Sequence, residues 1–278
     1  MQGKFKGILL CTDLDGTLLR EDKTVSRENL EAISYFQSQG GLFTFVTGRM
    51  PFFVENIYSI VQPNAPVACI NGGGIFDYRT RCYLWTHEAP REIVQMAAYA
   101  GSAMPDIGVQ VNCFDRIFFC QENEVMRVFR QVTGVPNLPA DYAEIKEPVA
   151  KIVFGVAEEA RMQQLQEFLH AHPLADRFDF IRSEQTLFEI LPKGVNKGSA
   201  LPRMAALLAL DPARTIAVGD YYNDISMIQA AGVGYAVANA CGAVKEAADR
   251  ITVSNEEHAI AAIVDDLEKG ILFSKENR

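Results

Sequence analysis

The chain has 278 residues, 49% of them hydrophobic and 22% charged, a length suited to about two domains and a composition that excludes disorder over most of it. Its 26 Lys and Arg against 35 Asp and Glu leave a net charge of -9, which argues against nucleic acid and anionic membrane surfaces as partners but leaves room for a local basic pocket that takes a small anion. The six cysteines, Cys11, Cys69, Cys82, Cys113, Cys120 and Cys241, include no C-x-x-C pair, so neither a zinc-finger spacing nor a disulfide scaffold is suggested and buried thiols in a reducing cytoplasm are expected.

The opening segment MQGKFKGILLCTDLDG turns polar too soon after its apolar run to be a signal peptide or a membrane span. Within it, Gly7 to Thr12 reads as a buried central strand ending at Asp13. Ser26 caps a helix that stops near Gly40, and Leu42 to Val46 forms a second strand ending at Thr47-Gly48-Arg49. Pro51 opens a helix toward Val61, and Val67 to Ile70 is a third strand ending at Asn71-Gly72-Gly73-Gly74. From Ile75 to Trp85 a hairpin is expected around Tyr78 to Arg81. A second open-faced sheet with helices follows, including the strand KIVFGV, the helix EEARMQQLQEFLH and strands near 178 to 191. From Asn196 the alternation of apolar strand and helix resumes. Apolar strands alternating with helices predict an α/β protein with a parallel sheet. The simplest parse is a discontinuous core, 1–85 and 188–278, with an insert at 86–187.

The chemistry gathers at predicted strand ends. Asp13 and Asp15 stand two apart after the first strand, where extended backbone would aim both carboxylates the same way. Gly16 permits the sharp exit, and the Thr17 hydroxyl can bond a neighbouring carboxylate. Gly219-Asp220-Tyr221-Tyr222-Asn223-Asp224 follows another apolar strand and opens a helix, where Asn223 or Asp224 would also serve as an ordinary cap. Several carboxylates at the strand ends of one sheet repel one another unless a cation joins them, and oxygen-only ligands favour Mg²⁺. The groups suited to an anion are Thr47, Gly48 and Arg49, together with Lys197 at a helix start. Asn71 is the candidate on the substrate side. Gly72-Gly73-Gly74 lacks the spacing of a dinucleotide loop, and His87, His170, His172 and His258 show no metal-ligand spacing.

DLDGTL at 13–18, TGR at 47–49, GVNKGSAL at 194–201 and GDYYND at 219–224 resemble, in order and separation, the four motifs of the haloacid dehalogenase superfamily. NGGGIFD at 71–77, MIQAAGVGYAVANA at 227–240 and VKEAADRITVSN at 244–255 are similar to its Cof-type sugar-phosphatase branch. The resemblance implies a Rossmann-like parallel-sheet core with an inserted α/β cap for substrate selection. It also implies a cytoplasmic, Mg²⁺-dependent phosphatase working on sugar phosphates or similar small phosphorylated metabolites through an aspartyl-phosphate.

By that resemblance Asp13 is the nucleophile and Asp15 the general acid and base. Thr47, Gly48, Lys197 and Asn223 hold the phosphoryl group. Asp13, the Asp15 backbone carbonyl and Asp220 ligate the metal, with Asp224 and Thr17 in support. Transfer to a second sugar, as in a phosphomutase, and a non-catalytic protein that binds a phosphorylated metabolite are the rival readings. Two departures carry expectations of their own. Asn255-Glu256-Glu257-His258 lacks the family's Gly at its last position, and Pro202 predicts a kink or a late start in the helix opened by Lys197.

Overall fold

The computed structural model describes residues 3–270. Residues 3–85 and 196–270 form one compact unit, and Thr86–Val195 form a second.

In chain order the first unit starts with β1 (Leu9–Thr12), α1 (Arg27–Ser38), β2 (Leu42–Phe45), α2 (Glu55–Val61), β3 (Val67–Cys69), β4 (Gly74–Asp77) and β5 (Cys82–Thr86). The second unit carries α3 (Glu92–Ala103), β6 (Gly108–Cys113), β7 (Ile117–Gln121), α4 (Glu124–Thr133), β8 (Val149–Gly155), α5 (Glu159–His170), β9 (Phe178–Glu184) and β10 (Leu187–Pro192). The first unit then resumes with α6 (Lys197–Leu207), β11 (Thr215–Gly219), α7 (Ile225–Ala230), β12 (Val233–Ala236), α8 (Gly242–Ala247), β13 (Arg250–Ile251) and α9 (Ala259–Glu268).

A parallel sheet in the order β13-β12-β11-β1-β2 is the frame of the first unit. Every residue of β1 is buried, as expected of a central parallel strand covered on both faces, and this is why its sequence is a continuous apolar run. Leu9, Cys11, Ala217, Ala200, Leu201, Met204 and Met227 share one of the cores against this sheet. Crossovers leave β1 toward β2 on one side and reach β11 on the other. The carboxyl ends of β1 and its two neighbours therefore meet at the switch in strand order, the place where open α/β sheets bind ligands. The expected hairpin is present as β4 and β5, which with β3 make a separate three-stranded sheet, while an isolated parallel bridge joins Ala68 to Val46.

The second unit is a sheet in the order β7-β6-β8-β10-β9. Ile93, Ala97 and Ala100 of α3 and Met162, Leu165 and Leu169 of α5 share its core with Val109, Val111, Ile152, Phe154, Phe188 and Ile190. Lys151 Nζ meets Glu189 Oε2 at 2.8 Å with both side chains buried, and the Ser183 hydroxyl donates to Glu189 Oε1 at 2.7 Å. Because Leu187–Pro192 pairs with β8 and β9, the chain returns to the first unit at Asn196 rather than near 188.

Three local expectations change. The helix α6 starts at Lys197 despite Pro202 inside it, because Asn196 and Ser199 form a reciprocal capping box that fixes the start. The missing Gly in the C-terminal loop is replaced by His258, which adopts the left-handed conformation (φ 69°) that His enters more readily than most side chains. Cys11, Cys69 and Cys113 are buried thiols as expected, but Cys82 is exposed on β5. No helix among the described residues is long and apolar enough to cross a membrane.

Candidate active site

Asp13 directly follows β1, Thr47 follows β2 after one residue, Asp220 directly follows β11, and Lys197 is the first residue of α6. The fold thus brings four distant segments to one end of the sheet. Lys197 is 1% exposed; its ammonium lies 2.7 Å from Asp13 Oδ1 and 2.6 Å from Asp224 Oδ1. A charge so buried is retained only when paired, and here one ammonium meets two carboxylates. Burial alone would push Lys197 down, but Asp13 and Asp224 outweigh it and hold the ammonium above its ordinary pKa.

Asp224 does two things at once. Its Oδ1 takes Lys197, while its Oδ2 accepts the backbone N–H groups of Asp220 and Tyr221, both at 3.0 Å. Asp224 is the N-cap residue of α7, but its side chain does not cap that helix and bonds back to the preceding loop instead. Asp220 Oδ1 accepts the Thr17 hydroxyl at 2.7 Å. Gly16, at φ 76°, could not be replaced without conflict, since a Cβ there would lie 2.5 Å from Asp220 Oδ2.

Asp13, Asp220 and Asp224 can each offer a carboxylate oxygen to one point, all within 4.8 Å of one another. Burial first, then the charges of Asp224 and Asp220, push Asp13 well above the ordinary carboxylate value, with Lys197 working against them. Burial and then Asp224 raise Asp220 to about 6. A cluster of oxygen donors with more negative charge than Lys197 can balance fits a hard divalent cation such as Mg²⁺.

Asp15 does not join that cluster through its side chain. Instead Arg49 grips it with two hydrogen bonds, Nε to Oδ2 at 2.8 Å and Nη2 to Oδ1 at 2.7 Å, and Lys23 Nζ adds a third at 2.9 Å. Burial by itself would raise the Asp15 carboxyl, yet Arg49 and then Lys23 overrule it and hold it below its usual value. The expectation that both carboxylates share one strand face gives way because β1 ends at Thr12 and Asp15 lies in the turn beyond it. Arg49 was legible as an anion partner from the TGR spacing, but Lys23 had no sequence signal to mark it.

Thr47 is buried, its Oγ1 accepting the Arg49 N–H at 3.2 Å. Asn223 donates through Nδ2 to Asn71 Oδ1 at 3.1 Å. Asn71 is fully buried, and its side chain lies between Asn223 and Gly48.

Residues 10–264 match the family described as haloacid dehalogenase-like hydrolase. The chain belongs to that family. Among its haloacid dehalogenase-like relatives, phosphatase YwpJ of Bacillus subtilis is 30% identical over 91% of this chain and 97% of its own length. Pyridoxal phosphate phosphatase YbhA of Escherichia coli is 26% identical over 92% and 97%. The structure of the HAD subclass IIB sugar phosphatase BT4131 superposes with a TM-score of 0.82 at 23% identity, covering 95% of this chain and 99% of that one. The fold is therefore the α/β haloacid dehalogenase fold, and this member is an enzyme of the phosphatase class.

Proposed function

We propose that the protein is a Mg²⁺-dependent phosphomonoester hydrolase that works through an aspartyl-phosphate on Asp13. The observation that carries the reading is Lys197, buried between Asp13 and Asp224 beside Asp220 at the strand ends. A carboxylate cannot approach a phosphoryl group without cationic screening, and this arrangement supplies a fixed ammonium next to the attacking group. Asp13 and Asp220 would hold Mg²⁺, with the Asp15 carbonyl as a further ligand by family resemblance. Bound there, Mg²⁺ neutralises charge on the transferring phosphoryl group.

In this reading Lys197 orients Asp13 through Oδ1, and the second carboxylate oxygen attacks phosphorus. Thr47, the Gly48 backbone, Lys197 and Asn223 grip the phosphoryl oxygens. The ester P–O bond breaks, the departing alkoxide takes a proton from Asp15, and Asp15 then takes one from the water that hydrolyses the acyl phosphate. Arg49 and Lys23 favour ionised Asp15, so delivery of that first proton requires the carboxyl to leave the Arg49 fork. That the substrate is a small phosphorylated metabolite is supported by the relatives named as pyridoxal phosphate and sugar phosphatases. Six free cysteines support a cytoplasmic setting.

Release of phosphate from para-nitrophenyl phosphate tests the proposal. Turnover should appear with Mg²⁺ and vanish with a chelator, and chelator-resistant hydrolysis would contradict it. Asp15→Asn should cost far more turnover on an alkyl phosphate than on the nitrophenyl ester, whose good leaving group needs little acid help. Equal losses on both would remove Asp15 from the acid role.

The carboxylate cluster also predicts how Mg²⁺ acts on stability. With its pKa raised from 3.8 to about 6 in the fold, Asp220 binds a proton more readily folded than unfolded. Its favourable contribution is thus complete below pH 4 and is lost as pH rises through about 6. Above that pH the fold carries ionised, mutually repelling carboxylates, and a divalent cation relieves them. The rise in Tm on adding Mg²⁺ should therefore be larger at pH 8 than at pH 5 in thermal melts. An equal rise at both would place the cation elsewhere.

A further inference from the structure

Directly after β3 the backbone takes three successive left-handed residues, Ile70 (φ 57°), Asn71 (φ 51°) and Gly72 (φ 89°). Only Gly enters that region freely, and a β-branched Ile is among the residues least suited to it. Gly72 is also required by space, because a Cβ there would lie 2.3 Å from the Asn196 carbonyl oxygen. Such a strained turn persists only where its surroundings over-determine it. What the turn achieves can be followed bond by bond. The Ile70 N–H donates to the Arg49 carbonyl at 3.1 Å, the Asn71 N–H to the Thr47 carbonyl at 3.0 Å, and the Thr47 N–H to the Ala68 carbonyl at 2.9 Å. The loop 47–49 is thereby stitched to the end of β3. The same turn brings the Asn71 side chain so close to Gly48 that a Cβ on Gly48 would lie 3.0 Å from Asn71 Oδ1. From the opposite loop, Asn223 Nδ2 donates to that same oxygen at 3.1 Å.

Asn71 thus joins the two loops that carry Thr47, Gly48 and Asn223, three of the groups assigned above to the phosphoryl oxygens. We propose that Asn71 is a positioning residue that holds Asn223 in register with the Thr47–Arg49 loop, setting the grip on phosphate without touching it. This rests on the phosphatase reading for the identity of the anion. With its side chain bonded to Asn223 and its N–H to Thr47, Asn71 acts through Asn223 and the loop, and its removal should weaken phosphate binding and turnover together.

The experiment compares wild type, Asn71→Gly, Asn223→Ala and the double variant, with inorganic phosphate as the probe in the presence of Mg²⁺. Gly keeps the left-handed backbone and deletes only the side chain. Losing one well-placed hydrogen bond to the grip corresponds to about a tenfold change. The expected result is that Asn71→Gly raises the inhibition constant of phosphate and the KM for para-nitrophenyl phosphate about tenfold in parallel, with a cooperative melt retained. Asn223→Ala, which leaves the turn untouched but removes a phosphate contact as well as the link, should give an equal or larger rise. In the Asn223→Ala background Asn71→Gly should add little, since both remove the same link. Multiplicative losses in the double variant would overturn the proposal, as would unchanged phosphate inhibition in Asn71→Gly. The rise in Tm with added phosphate reads the same grip without turnover. A wild type that releases no phosphate from the ester but shows an Asn71-dependent Tm shift would sink the phosphatase reading and keep this one.

Discussion

Asp13→Asn should lower turnover of para-nitrophenyl phosphate by about 10⁴-fold or more while the protein still folds. The substitution is nearly isosteric and keeps an oxygen for the Lys197 ammonium, now 2.7 Å from Asp13 Oδ1. It removes the only property the proposed first step cannot do without, a charged oxygen able to form a bond to phosphorus. Stability should move the other way. In the native chain burial and the charges of Asp224 and Asp220 raise the Asp13 pKa, so ionised Asp13 weighs against the fold once pH exceeds that raised value. A neutral amide carries no such charge, and the Tm of Asp13→Asn at pH 8 should equal or exceed that of wild type. Beryllium fluoride with Mg²⁺, which mimics a phosphorylated carboxylate, should inhibit wild type and fail to bind the variant. Near-normal turnover in a folded Asp13→Asn protein would move the nucleophile elsewhere.

Much of this site is readable in the residues. An apolar run such as GILLCT has one natural fate in an α/β chain, a central parallel strand, and the residue after it must then emerge at the sheet's carboxyl edge. That argument places Asp13 and Asp220, and Lys197 was read at a helix start, which the Asn196 cap fixes in the structure. Asp15 is harder to read. The two-residue alternation that aligns side chains holds only inside a strand, and β1 stops at Thr12, so the Asp15 carboxylate goes to Arg49 and Lys23. The contacts of Asn71 are hard to read for a related reason. A polar residue in a Gly-rich turn ordinarily faces solvent, and nothing in the sequence signals the left-handed run through Ile70 that sets the Asn71 side chain against Gly48 and Asn223. The boundary near 188 moves to 196 because strands of the two sheets have the same apolar texture. Nothing in LFEILP distinguishes an antiparallel partner of β8 from a strand of the first unit.

Lys197→Met should be the most destabilising single change at the site. Met fills a similar volume without a charge, so the loss reports the ion pairs rather than a cavity. With the ammonium gone, Asp13 and Asp224 face each other and Asp220 without a protein cation among them, and Asp224 is fully buried. Removing one partner of a buried pair costs about 3–5 kcal/mol because it strands the other charge. The shift in Tm should be greatest at high pH, where the stranded Asp13 carboxyl, already raised by burial, is forced to ionise, and should shrink in acid as it takes up a proton. Turnover should be lost along with the phosphoryl grip. Adding Asp224→Asn to Lys197→Met tests the cause. The amide keeps an acceptor for the Asp220 and Tyr221 N–H groups and removes one stranded charge, so it should restore part of the lost Tm while leaving the enzyme inactive. If the double variant is no more stable than Lys197→Met alone, the loss comes from packing of the lysine stem. The ammonium would then matter for phosphate alone.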